Sequence, residues 1–297
     1  MALSEKQYDW RRYWTPRDGA ISFSDQGFIS EPGDEEIGFS PTSSVVPFES
    51  IANFGCLALL GEPGIGKTET IRRLSTAEDR SGLLQIDLAA YASDSMLYKA
   101  IFESPAFTAW VSSSTTLEIF LDSLDECLIQ VRTVARLLID EFAKYPRSRL
   151  RLRIACRTAE WPQLLSQELP RLWGEQNFGE YELAPLTRRN VRDAAIVEGL
   201  DPDAFLKEID RLGIAALAMK PLTLIFLMQS RGSFPQTQGE LYHQGCLRLC
   251  SYENLSRLAS GNRSELDSES RLAVSVCRPM PKPGSKPNAD KHNLVSD

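Results

Sequence analysis

The chain has 297 residues, of which 42% are hydrophobic and 25% charged, ordinary values for a soluble globular protein with ample material for a buried core. A formal net charge of -7 argues against a general nucleic-acid binder, which carries a basic face, although a local basic groove stays open. The six cysteines form no CxxC pair and share no metal-ligand spacing with the two histidines.

The opening stretch MALSEKQYDWRRYW lacks the apolar segment of a secretory signal. Residues 1–50 read as an irregular lead-in, rich in turn formers such as Thr15-Pro16-Arg17-Asp18-Gly19 and Glu31-Pro32-Gly33-Asp34. A short helix is predicted around Tyr8–Trp14. Its aromatics Tyr8, Trp10, Tyr13 and Trp14 are expected to anchor the segment on the core; no basic track surrounds them to favour base stacking.

From residue 54 short apolar runs alternate with helical patterns. Cys56–Leu60 is a strand candidate, followed by a Gly-rich turn and a helix from Lys67 to about Ala77. Leu83–Leu88 and Leu117–Leu121 are the next strands, and residues 129–145 carry Val131, Val134, Leu137, Leu138, Phe142 and Ala143 at helical spacing. Leu150–Cys156 is a fourth strand, with Arg151 and Arg153 expected to face solvent or a domain boundary. Tyr181–Leu183 is a short fifth. This alternation predicts an α/β fold, a parallel sheet with helices on both faces, over residues 51–186.

After Leu186 the strand signals stop. Thr187 to Glu198 reads as a capped helix, Asp201-Pro202 opens another, and a third runs from Pro221 to about Gln229. Residues 187–260 are therefore expected to form a small all-α domain. The longest apolar stretch, Ile214–Met228, is broken by Lys220-Pro221 and too short to cross a bilayer, so a cytoplasmic setting with no membrane partner is expected. Residues 261–297 begin as an apolar element and end in Arg278–Pro287, a proline-rich stretch expected to be disordered. His243 and His292 have no partners for catalysis.

Two patterns carry chemistry. Gly61-Glu62-Pro63-Gly64-Ile65-Gly66-Lys67-Thr68 is a complete GxxxxGK[ST] motif lying between an apolar strand and a helix, the context it requires. Its glycines let backbone N–H groups reach phosphates, Lys67 adds a cation for the β- and γ-phosphates, and the Thr68 hydroxyl suits Mg²⁺. About 55 residues further on, an apolar strand ends in Asp122-Ser-Leu-Asp125-Glu126. Asp122 is the candidate second Mg²⁺ ligand, Glu126 the candidate for orienting an attacking water, and Asp125 a residue that shares that role or supports the metal. Arg157, at the end of the fourth strand, is a candidate γ-phosphate sensor, with a surface salt bridge as the alternative. The expected cofactors are ATP or ADP with Mg²⁺.

The combination of Gly61–Thr68 with Asp122-Ser-Leu-Asp125-Glu126 resembles the NACHT branch of the STAND NTPases, relatives of the AAA+ ATPases. Over about residues 50–230, Arg157 matches the family's sensor arginine and Pro221 the proline that packs near the adenine. The segment from Arg12-Tyr-Trp14 to Glu31-Pro32 resembles the one that precedes this core in bacterial members. The resemblance implies a slowly hydrolysing switch, closed with ADP and able to self-associate or engage protein partners after exchange for ATP, in bacterial defence or stress signalling. It also implies a winged helix, sensor repeats and an effector, none of which is recognisable, and the tail looks like out-of-frame coding sequence. A truncated or frameshifted product is therefore expected. The rival readings are a continuously hydrolysing AAA+-like motor and an inactive nucleotide-binding fragment.

Overall fold

The computed structural model describes residues 8–23, 25–32, 44–76, 82–229 and 239. The chain divides into two units, Met1–Phe234 and Pro235–Asp297, and every element below belongs to the first. The strands are β1 (Tyr13–Pro16), β2 (Val46–Pro47), β3 (Cys56–Gly61), β4 (Leu83–Asp87), β5 (Leu117–Asp122), β6 (Leu150–Arg157) and β7 (Phe178–Leu183). They make one sheet in the order β2-β1-β7-β3-β6-β5-β4. From β7 to β4 every pairing is parallel; β1 joins β7 and β2 antiparallel. The described residues thus form an α/β fold, a mostly parallel sheet covered by helices on both faces.

Period-two alternation sorts the strand residues onto two buried faces. Cys56, Ala58 and Leu60 of β3, with Leu117, Ile119 and Leu121 of β5 and Leu152, Ile154 and Cys156 of β6, face the larger core. Four helices cover that side: α3 (Asp94–Phe102), α4 (Pro105–Val111), α5 (Val131–Phe142) and α6 (Gln163–Trp173). Their aromatics interlock, with Phe102 in edge contact with both Phe107 and Phe142. The opposite face carries Leu57, Leu59, Phe120 and Ala155. It is covered by Ile71 of α2 (Lys67–Thr76), by Phe48 and Ile51 of α1 (Phe48–Ile51) and by Trp14 of β1.

Beyond β7 the described chain is helical: α7 (Arg188–Val197), α8 (Pro202–Leu212), α9 (Ala215–Ala218) and α10 (Pro221–Gln229). Thr187 and Asn190 form a capping box on α7, and Asp201 accepts from the Asp203 and Ala204 amides at the start of α8. Such caps contribute about 1 kcal/mol each. Gly213 ends α8 at φ +64°, a left-handed conformation that glycine adopts without strain. Most of residues 230–260 and all of residues 261–297 lie outside the described residues, with the tail and both histidines.

Two expectations are corrected. Tyr13 and Trp14 belong to β1 instead of a helix, because alternation sends them to opposite faces: Tyr13 packs with Ile29 and Val45, and Trp14 packs under the sheet. The aromatics do anchor the lead-in, as expected; Trp10 Nε1 also donates to the Asn190 carbonyl. Arg153 does not face solvent. Its side chain is 0% exposed, pairs with Glu118 at 3.2 Å, and donates to the carbonyls of Ala52 and Phe54 at 2.7 and 2.8 Å. With the sheet covered on both sides, every mid-strand position of β6 is interior, and an arginine there needs an internal anion and acceptors. Burial draws the guanidinium down to about 10 against the attraction of Glu118.

Removing one member of this pair strands the other. Arg153→Ala is expected to lower the unfolding free energy in urea by about 3–5 kcal/mol. Arg153→Met combined with Glu118→Leu is expected to cost less than Arg153→Ala alone.

Candidate functional site

β3 ends at Gly61, and the chain turns through Glu62 and Pro63 into α2. Gly64 and Gly66 sit at φ +73° and +93°, where any side chain is strained. Ile65 between them is buried in the core under the sheet and pins the loop from below. Lys67 opens α2 and folds back, donating from Nζ to the Gly61 carbonyl at 2.6 Å and the Glu62 carbonyl at 3.3 Å. Burial pulls the Lys67 ammonium below its ordinary value, opposed by the charge of Asp125. The exposed Thr68 lies beside the Asp122 carboxylate and favours its charged form.

β5 is buried at all six positions and delivers Asp122 at its end. Desolvation raises the Asp122 carboxyl above the usual aspartate range, against a hydrogen bond from the Ser123 amide (2.8 Å) and the nearby Thr68 hydroxyl. Asp87, opposite Asp122 at the end of β4, adds to the rise. Ser123 then adopts φ +60°, a left-handed conformation that costs about 1–3 kcal/mol outside glycine and excludes a branched residue. This reversal seats Leu124 in the core and splits the next two acids. Asp125 turns inward, with its side chain 5% exposed; Glu126 turns outward, 56% exposed.

Arg157, at the end of β6, holds both. Its backbone N–H and its Nε each donate to Asp125 at 2.8 Å, and Nη2 reaches Glu126 at 3.0 Å. Asp125 is thus committed to the end of β6. Its charge also helps burial push the Cys156 thiol up to about 12. Of the two acids left open by the motif, only Glu126 is accessible from solvent.

The helical side closes on the same loop. Lys220 forms an ion pair with Glu62. A Cβ on Gly64 would meet Leu222 at 3.4 Å, and one on Gly66 would meet Pro221 at 3.5 Å. The structure therefore brings together Gly61–Thr68, Asp122, Asp125, Glu126 and Arg157 across three strand ends, with Pro221 against the loop. Three neighbours were not among the expected site residues: Asp87, Lys220 and Arg12, whose Nη1 donates to the Ile65 carbonyl at 3.0 Å. Asp87 was legible as a strand-end acid; Arg12 opened the segment that resembles the lead-in of bacterial members, with no chemistry attached to it.

These donors fit a magnesium polyphosphate. Mg²⁺ takes one or two carboxylates with hydroxyl and water oxygens, which Asp122 and Thr68 supply, and a cation would hold the desolvated Asp122 ionised. Without one, the raised carboxyl stabilises the fold below the ordinary aspartate pKa and loses that contribution as pH rises through its raised value. Asp122→Asn is accordingly expected to raise the melting temperature of nucleotide-free protein at pH 7. Asp125→Ala is expected to destabilise by about 1–3 kcal/mol, while Glu126→Gln stays within about 0.5 kcal/mol of the parent in the same denaturation assay.

No protein-family model and no curated protein matches the chain. Among solved structures it is similar to the Thermotoga maritima RuvB Holliday junction branch migration motor, at 15% identity and a TM-score of 0.39, over 74% of this chain and 73% of that one. A likeness of that size transfers neither partner nor activity to this chain.

Proposed function

We propose that this chain is an ATP- and ADP-binding switch of the NACHT type of STAND NTPase, related to AAA+ ATPases, with slow Mg²⁺-dependent hydrolysis. The observation that carries the nucleotide part is the convergence of Lys67, Asp122 and the Arg157–Glu126 pair at the C-terminal ends of β3, β5 and β6. The loop amides and Lys67 would hold the β- and γ-phosphates, Thr68 and Asp122 would hold Mg²⁺, and Pro221 would pack near the adenine. The bound magnesium ion supplies positive charge to the β- and γ-oxygens. Glu126 orients the attacking water, and Asp125 keeps the end of β6 in register with it.

The switch reading is supported by what Arg157 does. One guanidinium group cannot grip Glu126 at 3.0 Å and also turn fully to a γ-phosphate. Engaging the phosphate releases Glu126 for water, and returning to Glu126 withdraws it, so turnover is slow and tied to sensing. Self-association, protein partners and a role in bacterial defence or stress signalling follow from the family resemblance. Among the described residues no helix is long and apolar enough to cross a membrane.

Mass spectrometry of nucleotide retained by the purified chain is the direct test, with ADP or ATP the expected finding. Lys67→Ala is expected to abolish binding in calorimetry. Glu126→Gln is expected to keep affinity and slow hydrolysis by about 10²–10⁴-fold. Rapid steady-state ATP consumption by the isolated chain would count against a switch and for a motor.

A further inference from the structure

Among the described residues Arg153 is fully buried, whereas Arg12 is partly buried with its Nε enclosed, and the two differ in their counter-ions. Arg153 has Glu118. Arg12 donates from Nη1 to the Ile65 carbonyl at 3.0 Å and from Nη2 to the Ala184 carbonyl at 2.8 Å, while its buried Nε–H has no hydrogen-bond partner. Among the described residues no carboxylate forms an ion pair with it. The charge that acts on it is that of Arg73, which repels it and is itself engaged by Glu69 and Asp9. Burial and this repulsion draw Arg12 down to about 10. A partly desolvated cation without a counter-ion is unfavourable, and carbonyl dipoles offset only part of the cost.

The position of Arg12 indicates what balances it. Nη1 lies 3.1 Å from where a Cβ on Gly66 would begin, so the guanidinium adjoins the segment Ile65-Gly66-Lys67 of the phosphate loop. Its own segment is held firmly: Trp10 Nε1 donates to the Asn190 carbonyl, Tyr8 donates to Glu198, and Arg73 donates to the Tyr8 carbonyl. The charge is therefore preorganised and needs no rearrangement to act on a ligand in the loop.

We propose that Arg12 is a positioning residue of the nucleotide site, pinning the Ile65 carbonyl so that the loop keeps its phosphate-binding form, with its charge balanced by the polyphosphate. This rests on the nucleotide-binding reading above. A charge in a partly desolvated setting acts over several ångströms, so Arg12 need not touch a phosphate oxygen.

The test measures MgADP and MgATP affinity by calorimetry, and the nucleotide-induced melting shift, in the full chain carrying Arg12→Met, Arg12→Gln or Arg12→Lys. Arg12→Met is expected to weaken binding by about tenfold or more while the nucleotide-free melting temperature falls little. Arg12→Lys, which keeps the charge, is expected to recover part of the affinity. Arg12→Gln, a neutral donor, is expected to stay weak. If Arg12→Met does not fold, the comparison of Lys with Gln decides. Parental affinity in Arg12→Met, or in Arg12→Gln as much as in Arg12→Lys, overturns the proposal and leaves the nucleotide reading standing. If the parent chain binds neither MgADP nor MgATP, the nucleotide reading fails and the proposal falls with it.

Discussion

Covering both faces of a parallel sheet leaves its strands few positions for charge other than their ends. The rest of this structure follows from that constraint. β3 and β5 are buried at every position, so the polar and charged groups gather where β3, β5 and β6 stop and in the turns just beyond. Gly61, Asp122 and Arg157 are the last residues of those three strands. Because β6 lies between β3 and β5, Arg157 pairs with Gly61 at the start of the glycine loop and its side chain holds both acids of the turn after β5.

The exception shows how strict the constraint is. Arg153 lies mid-strand, and the interior accommodates it only with Glu118 alongside and two carbonyls beyond the end of α1 as acceptors. Arg157, four residues on, meets the opposite condition. At the end of β6 its side chain is 43% exposed, and its partners are one buried acid and one exposed acid. Two arginines on the same strand thus differ in setting through burial: one is enclosed with its counter-ion, the other reaches two acids at the strand end.

Parts of the fold were opaque in the sequence for identifiable reasons. α3 and α4 lie in a stretch rich in serine, where Ser93 and Ser104 act as N-caps; serines so spaced read as loop when no long apolar period accompanies them. α6 contains Pro170, a residue that argues against a helix interior, yet packs Leu165, Leu169 and Trp173 into the larger core. β1 is four residues long and ends in proline, too short for a periodic signal, and exists because β7 offers it an edge. Asp125 and Glu126 are neighbours of the same charge, and no spacing rule tells which turns inward.

The sequence by itself determined the local chemistry: a glycine loop with one lysine and one hydroxyl, an apolar strand with an acid at its end, and helix starts marked by Thr187, Asp201 and Pro221. Those features depend on backbone conformation and on residues a few positions apart. Only the tertiary structure decided which charges would be compensated. It paired Arg153 with Glu118 in the interior, divided Asp125 from Glu126 at a left-handed serine, and brought Arg12 and Lys220 to the loop from opposite ends of the described chain. The worth of a charge depends on its desolvation and on the groups within a few ångströms of it, and both are set by chain segments far apart in sequence.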